Sequence, residues 1–398
     1  MDVVYLNLLK VQAAAHTVTV VTVCRNKVEF GGADELAQHC SELHVVTPRN
    51  VNSLLHKAYY RLLYSVLSFV LWRPRCTFYG APRELRDLVR RLLSEQQFDV
   101  VEVHHSTSAT LRDCFPHHPA VLYLYDLHFR ARARLAGTRR GIARVVARVQ
   151  QSMFRHFESV MMLKYDLLLF GQDEDLAAAA ALRIPADRLA LMPNVIDTDK
   201  CAPSENESQA DNAVVFVGAM THHANIDAIT HFQRQVWPLV RAKDPDAEWW
   251  IVGASPTEDI KRLSGCDGIH VFADVPDVRP FIHKASVYIA PLRIGSGVKV
   301  KIMEALSLGK AIVATGIAAE GMGLVPDRDL VVADLDRPFA DAVAALLSGG
   351  TRRSRLGKNA RDAACRLYSF DAGRKTLDRA YGRLVSETNP GSQQSSQG

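Results

Sequence analysis

Short runs of apolar and β-branched residues alternate along the chain with segments of helical periodicity. One helical face of residues 82–97, for example, carries Leu85, Leu88, Val89, Leu92 and Leu93, and arginines occupy the opposite face. This alternation is typical of βαβ units in a parallel sheet. We predict strands at residues 17–24, 43–46, 99–103, 121–125, 167–170, 213–217, 248–252, 269–272, 287–290, 311–314 and 330–332.

The polar residues 202–212, which include proline and serine, interrupt the alternation, and the pattern begins again after them. We therefore predict an α/β fold with two doubly wound, Rossmann-like domains. The predicted segments are a first domain at 1–195, a linker at 196–212, a second domain at 213–370, a final helix at 371–386 and a disordered tail at 387–398. Further helices are predicted at 82–97, 226–240, 259–263, after Gly297 and at 338–347.

A length of 398 residues exceeds the size at which one hydrophobic core stops growing, which agrees with two domains. Seven scattered cysteines show no metal-binding or redox spacing, so the reducing cytoplasm is the expected compartment. No secretory leader is recognisable at the start of the chain. Residues 62–72 carry no charge but fall short of the roughly 20 residues that span a bilayer, so we predict a buried or interfacial helix there.

The net charge of +5 is unevenly distributed. Eight arginines and no acidic residue lie within residues 127–157, which can attract anionic lipid head groups or a diphosphate-bearing acceptor. The alternative is a solvated helix face and loop. A peripheral contact with the inner face of a membrane is one expectation, and no nucleic-acid partner is expected. The arginines assigned to this contact are Arg130, Arg132, Arg134, Arg139, Arg140, Arg144 and Arg148.

A glycine-containing loop and a helix with cationic residues follow the fourth predicted strand of the second domain. Gly295 and Gly297 permit a tight backbone, and the helix is predicted to begin near Lys299. Helix N-termini at the carboxyl ends of parallel strands bind anions. Lys299 and Lys301 oppose the helix dipole in the first turn, which indicates that an anion binds there. The alternative is a Lys301–Glu304 ion pair on a solvated helix.

Four sequence blocks in residues 213–384 resemble the donor half of glycosyltransferase family 4, in its GSGxxxK…EA variant. They are VVFVGAMTHHANIDAITHF, EWWIVG, APLRIGSGVKVKIMEAL and GKAIVATGIAAEGM. Weaker matches in the first half are FDVVEV, LYDLHF, LLLFGQDEDL and LMPNVID. The resemblance implies the GT-B architecture, with an acceptor-side first domain facing a donor-binding second domain across a cleft. It also implies that the final helix crosses back to the first domain.

The resemblance further implies a retaining, hexosyl-type glycosyltransferase of surface polysaccharide biosynthesis. Such an enzyme moves a sugar from a UDP- or GDP-sugar to a glycan or lipid-linked acceptor, usually without a metal ion. No cofactor is expected, because the nucleotide sugar is a co-substrate. Asp197 and Asp199 have the DxD spacing of metal-dependent transferases, but they lie at the entry to the linker and two carboxylates are a poor cage. We therefore predict no metal.

The resemblance assigns the donor site residue by residue. Glu304 matches the second glutamate of the family's E-x7-E motif and is expected on the nucleotide ribose, while Ser296 stands at the first. Lys299 and Lys301 are expected on the diphosphate, where cations stabilise the leaving charge. The other donor-binding positions are Gly218 after the strand at 213–217, Gly295 and Gly297 in the loop, and Val275, whose backbone is expected against the base.

Transfer also needs a base for the acceptor hydroxyl. The family often has a histidine at the end of the fourth strand, where this chain has Tyr125 followed by Asp126. His128 is close in sequence, and His104 and His105 end the neighbouring strand. Asp126 or His128 is the expected base, and the alternative is a polar strand-end residue without a catalytic role.

The first residues depart most from the family, which opens with a strand and a glycine-rich turn. No glycine precedes Gly31 here. Either residues 1–5 are a remnant strand, or the chain begins at the following helix and the first sheet lacks a strand. This departure leaves a second hypothesis, a non-catalytic relative that binds a nucleotide sugar or partners a transferase. A sugar-nucleotide epimerase of GT-B fold fits the four blocks less well.

Overall fold

A computed structural model describes residues 3–24, 33–48, 54–204, 210–294 and 300–388. The chain divides into two compact units. The first unit extends to Pro193 and also takes in the residues from Gly373 on, whereas the second unit runs from Asn194 to Ala372.

The first unit is built from alternating helices and strands. Its helices are α1 Val3–Ala13, α2 Ala33–Ala37, α3 Leu54–Val70, α4 Thr77–Gly80, α5 Arg83–Glu95, α6 His128–Thr138, α7 Gly141–Met162 and α8 Asp173–Ala180. Its strands are β1 Thr19–Val23, β2 Glu42–Val46, β3 Val101–His104, β4 Ala120–Leu124, β5 Leu167–Phe170 and β6 Leu189–Leu191. Short 3₁₀ helices occupy Ser106–Cys114 and Ala186–Arg188.

The described strands of the first unit pair only in parallel. β1 pairs with β2, and a second sheet has the order β3-β4-β5-β6. Every residue of β4 and β5 is buried, as expected for apolar strands covered on both faces. Since the strands run parallel, the residues that follow β3, β4 and β5 lie at one edge of the sheet.

The second unit also alternates strands and helices. Its strands are β7 Ala210–Val217, β8 Glu248–Gly253, β9 Ile269–Ala273, β10 Ala285–Ala290, β11 Ala311–Ala314 and β12 Val331–Val332. Its helices are α9 His223–His231, α10 Trp237–Arg241, α11 Glu258–Lys261, α12 Arg279–Lys284, α13 Val300–Ser307, α14 Gly316–Ala319, α15 Arg337–Ser348 and α16 Gly350–Tyr368. The last helix, α17 Phe370–Thr388, continues past Gly373 into the first unit.

The sheet of the second unit has the strand order β12-β11-β10-β7-β8-β9, with parallel pairing throughout. This is the doubly wound order in which the chain starts in the middle and winds outward in both directions. Val214 and Phe216 belong to the core on one face, and Val215 and Val217 to the core on the other. The order reverses between β7 and β10, and ligands of such sheets bind at the carboxyl ends of the strands there.

Most sequence predictions of secondary structure are confirmed, with strand ends that differ by at most three residues. β6 was not predicted, because a three-residue strand carries almost no periodic signal. The helix predicted at 226–240 is interrupted by a π-helical segment, Phe232–Val236, between α9 and α10. The remnant strand proposed for residues 1–5 is wrong for residues 3–5, because α1 begins at Val3.

The uncharged residues 62–72 form the end of α3 and the turn after it. The prediction that this stretch is buried is wrong for several of its apolar side chains, because Leu62, Phe69 and Val70 are 68%, 67% and 72% exposed, although Ser68 is buried. None of the described helices is long and apolar enough to cross a membrane.

Candidate functional site

The reversal point of the second unit brings together the predicted donor-site segments. Gly218 follows β7, and Pro291 follows β10, the strand beside β7 in the sheet. α13 begins at Val300 after the same loop. Gly295, Ser296, Gly297 and Lys299 lie outside the described residues. The topology therefore places the start and the end of the predicted phosphate loop at the edge of the sheet where anionic ligands bind.

Two contacts hold the described part of the loop after β10. The hydroxyl of Thr315 donates to the carbonyl of Leu292 at 2.6 Å. The guanidinium of Arg293 binds both carboxylate oxygens of Asp227 on α9, each at 2.9 Å, and its third nitrogen lies 2.9 Å from Nδ1 of His231. Arg293 is not among the candidates that the sequence predicts. The feature that could have identified it is a cationic residue three positions after a strand at the reversal point.

Lys301 lies in the first turn of α13 and forms an ion pair with Glu304. Its ammonium is 2.8 Å and 3.1 Å from the two carboxylate oxygens, and the Lys301 side chain remains 44% exposed. The i,i+3 pair that the sequence left as an alternative is therefore present. The Glu304 side chain is less exposed, at 14%, but the ammonium remains open to solvent, so an anion can approach Lys301.

Gly218 and Val275 occupy different surroundings. A Cβ atom on Gly218 would lie 2.7 Å from Nδ2 of Asn225, so the glycine admits that side chain beside the strand end. Val275 follows β9 and is partly buried against the core of the unit. His222 and His223, at the start of α9, are exposed at the end of the loop that follows β7.

At the edge of the first unit's sheet, a hydrogen-bonded chain links two neighbouring strand ends. Oε1 of Glu102 lies 3.0 Å from Nε2 of His104, the last residue of β3. Nδ1 of His104 lies 2.9 Å from the hydroxyl of Tyr125, which follows β4. His104 and Tyr125 are visible in the sequence as strand-end residues, whereas Glu102 is not, because only the folded sheet brings the three side chains together.

The Glu102 carboxylate is the centre of this network. Gln12 of α1 donates to it at 3.1 Å, and the hydroxyl of Tyr381 on α17 donates as well. Burial alone would raise the pKa of Glu102, but the hydrogen bonds and the charge of His104 outweigh it, so the pKa is lowered. Glu102 therefore stays ionised in a site where its side chain is only 11% exposed.

Asp126 follows Tyr125 at the same edge and is partly exposed. Its Oδ1 accepts a hydrogen bond from Nε2 of Gln172 at 3.0 Å. Burial, and then the charge of Asp175, raise the pKa of Asp126 above its ordinary value. A carboxylate whose pKa is raised toward neutrality is a stronger base, which suits proton transfer.

His128 is held differently from Asp126. Its Nδ1 lies 3.1 Å from Oγ of Ser106 and 3.2 Å from Oε1 of Glu158, and its ring stacks on Phe154. Glu158 is fully buried and also accepts the backbone N–H groups of His128 and Phe129. It thus satisfies the free N–H groups at the start of α6. The His128 ring is part of this helix-capping arrangement.

A cavity of about 410 Å³ opens elsewhere in the first unit. It lies beside the residues that precede β1 and β2, at the amino ends of these strands. Its lining includes Lys10, His16, His39 and Cys40 and none of the predicted site residues.

No cluster of three or more potential metal-binding side chains occurs within the described ranges. Asp197, the first residue of the DxD sequence, accepts the backbone N–H of Lys200 at 2.9 Å. It therefore stabilises the local turn.

Comparison with known proteins gives one family match and several structural matches. Residues 211–349 match the model of the family "Glycosyl transferases group 1". A Klebsiella pneumoniae protein, described as an uncharacterized 44.6 kDa protein in the cps region, is 28% identical over 135 residues. That stretch spans 32% of this chain and 35% of the relative.

Among solved structures, HepE of Anabaena, in complex with UDP and glucose, superposes on this chain with a TM-score of 0.65. The two sequences are 11% identical, and the superposition covers 96% of each chain. Sucrose-phosphate synthase of Thermosynechococcus elongatus gives a TM-score of 0.60 at 11% identity, covering 92% of this chain and 99% of its own. These matches, with the parallel sheets of both units, establish the fold. Residues 211–349 are thus similar to group 1 glycosyltransferases, and the chain has the GT-B fold with two Rossmann-like units.

Proposed function

We propose that the protein is a retaining, hexosyl-type glycosyltransferase that uses a UDP- or GDP-sugar. The observation that carries the proposal is the pair of cations, Lys301 and Arg293, on either side of the loop at the reversal point of the second unit. Among the described residues Lys301 pairs with Glu304, and Arg293 with Asp227 and His231; both cations are 42–44% exposed, and a diphosphate can compete for them. The family match over this unit and the bound UDP of HepE agree with the proposal.

In this proposal the second unit holds the donor. Lys301 and Lys299 bind the diphosphate and stabilise its charge as it leaves, together with the backbone of Gly295, Ser296 and Gly297. Once Lys301 turns to the phosphates, Glu304 is released to accept hydrogen bonds from the ribose hydroxyls. Gly218 lies beside the phosphates, and the backbone at Val275 contacts the base. No metal ion and no further cofactor take part.

The first unit supplies the proton acceptor. Between the two candidates we choose Asp126 over His128. The pKa of Asp126 is raised, and among the described residues its carboxylate accepts one hydrogen bond, from Gln172, while His128 supports the cap of α6. The acceptor oxygen attacks the anomeric carbon, its proton passes to Asp126, and the bond to the diphosphate oxygen breaks with its electron pair.

We further propose that the acceptor is a glycan or lipid-linked glycan of surface polysaccharide biosynthesis. The cps-region relative supports this choice. The protein would work in the cytoplasm, at the inner face of the membrane, where such acceptors are assembled and where exposed arginines meet anionic lipid.

A panel of UDP- and GDP-sugars separates the transferase from a non-catalytic relative or partner subunit. Nucleotide binding is measured by calorimetry, and slow donor hydrolysis by release of the nucleotide. Binding with hydrolysis supports the transferase. Binding without turnover of any donor supports the non-catalytic relative, and the absence of nucleotide binding contradicts both.

A further inference from the structure

Two segments of the first unit expose large apolar side chains in succession. The end of α3 and the turn after it expose Val66 by 54%, Phe69 by 67%, Val70 by 72% and Leu71 by 54%. The start of α7 exposes Ile142 by 83%, Val145 by 60% and Val146 by 50%. Single exposed apolar residues need no explanation, but contiguous groups of them mark interaction surfaces.

On α3 the exposed residues share one helical face. Leu62, Val66, Phe69 and Val70 are spaced by four, three and one positions, so their side chains lie along one stripe. Trp72, in the turn that follows, is 40% exposed. The guanidinium of Arg73, just after α3, lies over the ring of Phe157 in the second half of α7. This contact is about 22 Å along α7 from Ile142.

On α7 the exposed residues form the start of the face that is buried farther along the helix. Ile142, Val145 and Val146 are exposed, whereas Met153 and Phe157 are only 4% exposed each. α6 packs against α7, and Arg139 and Arg140 join the two helices. The first turns of α7 thus carry core-like side chains that the described residues leave at least half exposed.

Both segments lie in stretches of sequence without acidic residues. Residues 43–83 contain six lysines and arginines and no Asp or Glu, and residues 127–157 contain eight arginines and none either. Arg130 pairs with Asp175, and Arg132 lies over the ring of Phe154, so these two cations are used inside the unit. Four arginines at the start of α7 are exposed and have no carboxylate partner among the described residues: Arg139, Arg140, Arg144 and Arg148.

We propose that these two segments insert into the surface of an anionic lipid membrane. Aliphatic side chains at the head-group boundary, with arginines beside them and a tryptophan at the interface, are the chemistry that such a surface binds. Attraction between arginines and anionic lipid is only one component of this binding. The apolar side chains of α7 and of the end of α3 also enter the lipid. It is independent of the transfer reaction.

Vesicle co-sedimentation of the full chain tests the two components separately. We expect binding to vesicles that contain phosphatidylglycerol and little binding to phosphatidylcholine alone. Replacing Arg139, Arg140, Arg144 and Arg148 by Gln should weaken binding by on the order of a hundredfold at low ionic strength. The matched control has the same loss of charge in the second unit, with Arg234, Arg352, Arg355 and Lys358 replaced by Gln, and should bind as the wild type does.

The apolar component is tested by Ile142→Ser, Val145→Ser and Val146→Ser together, and by Phe69→Ser with Val70→Ser. Each set should weaken binding roughly tenfold or more, because the free energy of insertion increases with the apolar area that is transferred from water into the lipid. Val325→Ser, at a side chain 45% exposed in the second unit, is the control. Because all these side chains are exposed, unchanged melting temperatures are expected.

Trp72 reports insertion directly. Brominated acyl chains should quench part of the tryptophan fluorescence of the wild type, and Trp72→Phe should remove that quenching. No vesicle binding, or binding lost with the arginine set but kept with both serine sets, would overturn the proposal. So would a dimer in solution that the serine sets dissociate without any vesicle binding, because a second copy would then cover these segments.

Discussion

The two units carry their polar side chains at the edges of their sheets in different ways. In the second unit, Lys301 and Arg293 are 44% and 42% exposed, and their partners Glu304 and Asp227 are 14% and 21% exposed. In the first unit, His104 and His128 are each 32% exposed, and their partners Glu102 and Glu158 are 11% and 0% exposed. The more exposed a pair is, the less it costs to exchange one partner, whereas removing the partner of a fully buried carboxylate leaves that group without its hydrogen bond. Substitutions should therefore separate binding from stability in the second unit more cleanly than in the first.

The largest effect is expected for Asp126→Asn. The substitution keeps the acceptor for Gln172 but removes the base, so kcat should fall by roughly 10²- to 10⁴-fold while UDP affinity stays unchanged. Because the working form is the ionised carboxylate, wild-type kcat/KM should fall as the pH drops through the raised pKa of Asp126. In Asp126→Asn, the plot of kcat/KM against pH should lack this decrease at acidic pH.

His128→Gln tests the other candidate base and is compared with Asp126→Asn. Loss of the contacts with Glu158 and Phe154 should lower the melting temperature, with a much smaller change in kcat. A larger loss of kcat in His128→Gln than in Asp126→Asn would reverse our assignment of the base.

Glu102→Gln should show how much stability the buried network supplies. We expect a loss of about 1–3 kcal/mol at neutral pH, because a buried charged acceptor of several hydrogen bonds is removed. The lowered pKa means that the stabilisation is present above the unfolded-state pKa and is lost as the pH falls through the folded-state pKa. The difference between wild type and variant in urea unfolding should therefore shrink toward acidic pH. A constant difference would mean that packing rather than charge is responsible.

Arg293→Gln should have the smallest effect. The cation holds the loop after β10 to Asp227 and offers positive charge to the donor, so UDP affinity should fall by roughly five- to twentyfold. Asp227→Asn separates the two roles, since it loosens the loop but keeps the cation. Equal losses in both variants would assign Arg293 to loop positioning alone.

Local periodicity was enough to predict most of the fold. The buried strands β4 and β5, and the amphipathic α5, follow from apolar runs and from a 3.6-residue repeat. The interruption of the helix at Phe232–Val236 could not be predicted, because packing rather than local sequence decides it.

The candidate site was predicted less completely. Lys301, Glu304 and Gly218 belong to contiguous motifs, and the topology places these motifs at the reversal point. Glu102 pairs with residues of α1, β3 and α17, and a contact that spans 279 residues leaves no signal in one sequence. The exposure of the end of α3 could not be predicted either. An uncharged apolar run is equally typical of a helix buried in the core and of a helix with an exposed apolar face.

Calorimetric titration of UDP into the wild type and Lys301→Ala tests whether this loop and α13 bind the donor diphosphate. We expect the wild type to bind UDP and the variant to lose affinity at least roughly tenfold, because a charge-assisted hydrogen bond to the diphosphate disappears. Lys358→Ala, at an exposed position of α16, is the control and should bind UDP normally. Equal affinity of wild type and Lys301→Ala would contradict the assignment of this loop and helix as the donor-phosphate site.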